Sequence, residues 1–122
     1  TILKPNMVTA GSECEQKSSV EEVAEMTIKC LNESVPNELP GVAFLSGGQT
    51  EIESTEHLDK MNKIGGFPWK LSFSYGRALQ QSALNAWLGK SENKNAGQLA
   101  FAHRAKMNKL AALGSWSSDL EN

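Results

Sequence analysis

A lysine, two glycine turns and an arginine are the residues of this sequence whose types and spacing could do chemistry. Lys4 closes a short apolar run in "ILKPNM", directly before a proline. A second apolar run ends in Ser46-Gly47-Gly48, and a third in Ser74-Tyr75-Gly76-Arg77. A neutral lysine amine attacks a carbonyl carbon, and the protonated Schiff base that results draws electrons from the neighbouring carbon. Glycine turns that open helices favour anions, because free backbone N–H groups and the helix dipole both present positive ends. Arg77 adds a fixed fork of donors suited to phosphate. In a crowded pocket, desolvation and nearby positive groups both favour the neutral amine. The combination describes a site for a phosphorylated ketone, with its phosphate on the glycine turns and its carbonyl carbon at Lys4.

Each part also has a plainer reading. Lys4 alone reads as a solvated lysine at a strand end, Ser-Gly-Gly as an ordinary turn, and Arg77 as a surface arginine. His57 and His103 fall in helical segments among polar neighbours and are read as surface histidines. Trp69, Trp87 and Trp116 are read as packing residues, and Glu21, Glu22 and Glu25 as a solvated helix face with caps. Three chemically equipped strand ends, taken together, favour the lysine-and-phosphate reading.

The elements that must position these residues alternate between two periodicities. "TILKPNMV" is short and apolar, and Pro5 keeps it from being a helix interior. "SSVEEVAEMTIKCLNESV" carries Val20, Val23, Ala24, Thr27, Ile28, Leu31 and Val35 on one helical face, with capping-box spacing at Ser18/Glu21 and Ser19/Glu22. "GVAFLSGG" is a second strand. Thr50 and Glu53 then open the helix "EIESTEHLDKMNKI", with Ile52, Leu58 and Met61 as a sparse apolar face. "KLSFSYG" shows a period of two, and "RALQQSALNAWLG" is a helix stopped at Gly89. A last helix over about 95–113 puts Leu99, Ala102, Met107, Leu110 and Leu113 on one side. The order β-α-β-α-β-α-α predicts parallel βαβ units, which gather ligands at the carboxyl ends of their strands.

Length and composition narrow the class. The chain has 122 residues, enough for one compact domain, and a hydrophobic content of 39% that suits a packed core. A net charge of -2, with both signs interspersed, leaves no footprint for nucleic acid or an anionic membrane. No apolar run approaches the roughly 18 residues of a membrane span. Cys14 and Cys30 stand without metal-ligand spacing and fit reduced thiols of a cytoplasmic protein. The sequence starts at Thr1, already inside a strand-like segment, so it is read as a portion of a longer protein.

Four stretches, "ILKPNMVTAG", "PGVAFLSGGQTE", "PWKLSFSYGRALQQSALNAWLGK" and "RAKMNKLAALGSW", resemble the class I fructose-1,6-bisphosphate aldolases, particularly the shorter bacterial-type members. The resemblance implies an α/β fold, a (β/α)8 TIM barrel in the parent protein. Residues 1–122 would then be its last three βα units plus a C-terminal helix. It assigns the Schiff base to Lys4, and the phosphate nearest the ketone to Ser46, Gly47, Gly48, Ser74, Gly76 and Arg77. It implies reversible cleavage of fructose 1,6-bisphosphate to dihydroxyacetone phosphate and glyceraldehyde 3-phosphate, in glycolysis and gluconeogenesis. No metal or other cofactor is needed, and a homo-oligomer is implied for the parent. The acid–base carboxylates and a second active-site lysine would lie upstream of Thr1, so this chain alone is expected to be feebly active at most. Two alternatives stay open: a non-catalytic phosphate-binding module, and another lysine-dependent sugar-phosphate enzyme such as a transaldolase.

Overall fold

The computed structural model describes residues 1–122. Three parallel strands, β1 (Ile2–Leu3), β2 (Gly41–Phe44) and β3 (Lys70–Phe73), form one sheet in that order. Four helices follow or join them: α1 (Val20–Ser34), α2 (Glu51–Ile64), α3 (Arg77–Trp87) and α4 (Lys94–Ala112). A short 3₁₀ turn at Ser91–Asn93 precedes α4, and another at Ser118–Glu121 closes the chain. The predicted β-α-β-α-β-α-α order and parallel pairing both stand. Ile2 pairs with Gly41, and Val42 with Leu71.

β2 is central and buried, and Val42, Phe44 and Leu71 pack with Leu58, Met61, Met107 and Trp116 into the main core. β1 is an edge strand with both residues exposed. It is much shorter than the eight-residue run predicted. Pro5 has no N–H to give the ladder. Beyond it, Met7 N–H turns to the Asn6 side chain (2.9 Å) and Val8 N–H to Thr27 Oγ1 (2.9 Å).

Capping follows the sequence in part. At α1, Ser19 Oγ accepts from Glu22 N–H (3.2 Å). At α2 both arms of the capping box form: Glu53 N–H donates to Thr50 Oγ1 (3.1 Å) and Thr50 N–H to Glu53 Oε2 (2.9 Å). The face of α1 is as read, with Val23, Ala24, Thr27, Ile28 and Leu31 buried.

The faces of α2 and α4 are not. Ile52 is exposed, and α2 instead buries Ser54, Thr55, His57 and Asp59 beside Leu58 and Met61. In α4, Leu99 and Leu113 face outward while Gly97, Arg104, Met107, Asn108 and Ala111 are buried. Apolar periodicity fails here because several of these buried positions are polar and find partners, Thr55 with Asn108 and Arg104 across the helix interface, His57 with Gln49, and Asp59 with Lys63 and the Trp116 amide. Trp69 and Trp116 are buried as expected, whereas Trp87 is 44% exposed. It borders a groove of about 630 Å³ between the far end of α3 and the start of α4. Gly97 allows that close approach, since a Cβ there would lie 3.0 Å from the Trp87 Cβ.

Candidate functional site

The parallel ladder continues past the carboxyl ends of the strands. Leu45 N–H donates to the Pro5 carbonyl (3.0 Å), and Ser74 N–H to the Phe44 carbonyl (2.9 Å). These bonds carry Lys4, Ser46 and Ser74 out of the sheet along its carboxyl edge, where parallel α/β folds hold their ligands. Lys4 is solvent-exposed. The loop behind it is pinned to the Ser-Gly-Gly turn, because the Asn6 side chain lies against Gly47, where an added Cβ would come within 2.8 Å of Asn6 Nδ2.

Residues 46–49 form a tight turn closed by Gln49 N–H donating to the Ser46 carbonyl (3.0 Å). Both central residues have positive φ, +56° at Gly47 and +83° at Gly48, the type I′ pattern in which the amides of those residues stay free. Gly47→Ala is therefore expected to cost about 2 kcal/mol from the left-handed backbone alone, with more from displacing Asn6. A lowered urea midpoint with unchanged slope is the measurement that checks it.

The two other helices that open on this edge or near it are capped by side chains, but α3 is not. Its N-cap is Gly76, no side chain bonds its first amides, and its first turn carries no acid. That leaves a helix N-terminus open to an anion. Ser46, Gly48 and Arg77 converge with Thr50, Glu51 and Ala78 on a cavity of about 350 Å³ between the starts of α2 and α3. Gly47 and Gly48 also border a second cavity of similar size, with Lys17 and His57 on its far wall. Lys4, Ser74 and Gly76 stand on the same edge but line neither cavity.

Glu51 is a carboxylate on the wall of an anion-sized cavity, and its charge is engaged elsewhere. It accepts from Ser82 N–H (2.8 Å) and from the Ser82 hydroxyl, and it lies 3.9 Å from Arg104 Nε. Arg104 is itself buried and donates through both terminal nitrogens to Glu121, at 3.0 and 2.6 Å. Arg104 Nε and Asn108 Nδ2 are buried without hydrogen-bond partners. Burial pushes the Glu121 carboxyl up, but hydrogen bonds from Arg104 and Trp116 and the charges of Arg104 and His103 outweigh it, so the net shift is downward.

Sequence reasoning missed several residues of this edge. His57, read as a surface histidine, is 7% exposed. Its Nδ1 is 2.6 Å from Gln49 Oε1, and burial lowers its pKa despite the opposing charge of Glu53. Asn6 and Gln49 were passed over although each adjoins a predicted motif. Tyr75, inside the third motif, is a support: its buried hydroxyl donates to the Ser54 carbonyl (2.8 Å), and burial pushes its pKa far up. No three His, Cys, Asp or Glu side chains converge as a metal site.

Comparison with known proteins gives concordant results. A family model described as "Fructose-bisphosphate aldolase class-I" matches residues 1–122. A probable fructose-bisphosphate aldolase class 1 of Xanthomonas axonopodis pv. citri is 54% identical over 117 residues, which are 95% of this chain and 35% of that protein. A fructose-bisphosphate aldolase of Echinococcus multilocularis is 52% identical, covering 99% of this chain and 34% of its own length. Among solved structures, a fructose-bisphosphate aldolase from Plasmodium falciparum, crystallised with TRAP and a small-molecule inhibitor, superposes with a TM-score of 0.92 at 49% identity. That match covers 96% of this chain and 34% of the other. The chain thus spans about a third of the length of the relatives it matches.

Proposed function

The chain belongs to the class-I fructose-bisphosphate aldolase family, and from that premise we propose that it carries the Schiff-base lysine and a phosphate cradle of such an enzyme. The reaction is the reversible cleavage of fructose 1,6-bisphosphate to dihydroxyacetone phosphate and glyceraldehyde 3-phosphate. One observation supports the reading: Lys4, an uncapped helix start, a free-amide turn and Arg77 all stand along one carboxyl edge of the sheet.

The roles follow from chemistry. The Lys4 amine attacks the ketone carbon, water leaves, and a protonated imine remains on Nζ. When the bond between the α and β carbons breaks, the β-hydroxyl gives up its proton as that carbon becomes the aldehyde, and the electron pair left on the α carbon moves toward the cationic nitrogen and gives an enamine. Ser46, Gly47, Gly48, Ser74, Gly76 and Arg77 hold the ketone-side phosphate, fixing the carbonyl carbon at the amine. The carboxylates that move protons belong, by family resemblance, to parts of the barrel these 122 residues do not span. The three βα units are accordingly a portion of one (β/α)8 domain. The chain alone is expected to condense with substrate far better than it turns substrate over. The chemistry needs no metal, its ligands are small sugar phosphates, and its setting is the cytoplasm. The complete protein is a homo-oligomer.

Borohydride reduction in the presence of dihydroxyacetone phosphate tests the reading. The expected result is a mass gain of one reduced adduct, mapping to the peptide that contains Lys4. Phosphate binding with no adduct would indicate a binding module instead. An adduct formed with sedoheptulose phosphate but not with fructose 1,6-bisphosphate would indicate a transaldolase-like enzyme.

A further inference from the structure

Behind the Ser-Gly-Gly turn runs a chain of three polar groups that the reaction does not use. Gln49 Nε2 donates to the Ser46 carbonyl (2.9 Å), and Gln49 Oε1 is 2.6 Å from His57 Nδ1. The Ser46 carbonyl can only accept, so the Gln49 amide nitrogen must face it and the amide oxygen must face the histidine. Oxygen in turn only accepts, which puts the imidazole proton on Nδ1. The donors therefore run in one direction, from His57 to Gln49 to Ser46.

We infer that His57 is a positioning residue for the anion-binding turn, acting through Gln49. The Ser46 carbonyl takes two hydrogen bonds, from Gln49 N–H (3.0 Å) and from Gln49 Nε2 (2.9 Å), so both its lone pairs are engaged. That carbonyl and the Gly47 N–H belong to the same planar peptide unit and point in opposite directions. Fixing the oxygen fixes the direction of the N–H. Gly47 has no side chain to restrict its backbone and sits at positive φ, so the direction of this peptide plane is set by the hydrogen bonds to its oxygen rather than by side-chain sterics. The buried imidazole sits on helix α2, one wall of the second cavity, and holds the far end of the relay on a rigid element. In this scheme an exposed loop presents a preorganised donor because a helix holds the loop from behind.

The inference rests on the reading that this turn binds a phosphate, and the experiment separates the two. Inorganic phosphate is titrated into the whole chain and into four variants, with folding checked by circular dichroism. His57→Leu is close in volume but lacks the donor, and it is expected to weaken phosphate binding about tenfold, the scale of one lost hydrogen bond. His57→Asn keeps an N–H near the Nδ1 position and is expected to bind within about twofold of the parent. Gln49→Met breaks the relay at its centre and is expected to match His57→Leu; it carries the test if the leucine variant does not fold. Arg77→Ala reports on the site itself. Binding by His57→Leu or Gln49→Met as tight as the parent, while Arg77→Ala weakens it, overturns the relay and leaves the phosphate site standing. Equal weakening in His57→Asn and His57→Leu also overturns it, since bulk packing would then be the cause. If the parent binds no phosphate, or Arg77→Ala changes nothing, the site reading fails and the relay with it.

Discussion

A Lys4→Ala chain treated with dihydroxyacetone phosphate and borohydride is expected to gain no covalent mass, against one adduct on the parent. The chain has other lysines, and every one is a primary amine. What singles out Lys4 is placement: it leaves the sheet on the edge that carries the proposed phosphate cradle. Anchoring the phosphate there turns an encounter between two solutes into a reaction within one complex, for which effective molarities of about 10⁵ M and above are known. A surface lysine elsewhere has no such advantage. Lys4→Arg is expected to fail as completely as Lys4→Ala, because a guanidinium stays protonated and is no nucleophile. Arg77→Ala should still form the adduct, but only at roughly tenfold higher substrate, the scale of a lost charge-assisted hydrogen bond. Labelling that persists without Lys4, or spreads over several lysines, would overturn the assignment.

The second large effect concerns a residue far from the amine. Arg104→Ala is expected to cost about 3–5 kcal/mol, the usual penalty for breaking a buried ion pair, which is a large share of the roughly 5–15 kcal/mol that holds a domain together. Arg104 joins α4 to the closing turn through Glu121 and to Thr55 of α2 (3.3 Å), and it approaches Glu51. Its loss strands two carboxylates in a poorly solvated interface. Arg104→Lys should recover little, because only the planar fork spans both Glu121 oxygens. The pair also sets an acid limit. Glu121 has a depressed folded-state pKa, so its contribution is fully present above the ordinary glutamate value. That contribution is lost as pH falls through the lower folded value. Urea unfolding of parent and Arg104→Ala at neutral and at acid pH should therefore show a gap that narrows in acid. A gap independent of pH would mean that packing, rather than the charge pair, supplies the stability. Because Glu51 lines the cavity beside Arg77, the same substitution should also weaken phosphate binding.

The alternation of elements and the parallel sheet were legible in the sequence because each βα unit carries its own punctuation. Proline or glycine ends an apolar run, and a helix then opens, on a Ser or Thr cap at α1 and α2 and on Gly76 at α3. The strand-end residues were legible for the same reason, since Lys4, Ser46 and Ser74 stand where the apolar runs stop. The faces of α2 and α4 were not. A pattern of apolar residues cannot register Thr55, Asn108 or Arg104, whose burial is permitted only by partners distant in the chain, such as Thr55 donating to Asn108 Oδ1 (2.6 Å). His57 was misread on the same grounds: its neighbours in sequence are polar, and only the fold reveals Gln49 against it. Asn6 was hidden differently, because its role exists only where a glycine on another strand end leaves room for it.

The brevity of β1 bears on how the amine is kept in place over time. In these 122 residues alone, two ladder residues on an exposed edge are where local opening is cheapest, and such segments exchange their amide protons through small fluctuations rather than global unfolding. Lys4 lies just beyond them, so its residence at the site depends less on the sheet than on two fastenings further along: the Leu45 amide on Pro5 and the seat of Asn6 against Gly47. The amine and the turn would then open and close as one small cooperative unit. The Leu45 amide, whose proton is protected only while Pro5 is docked, is the natural clock for that motion.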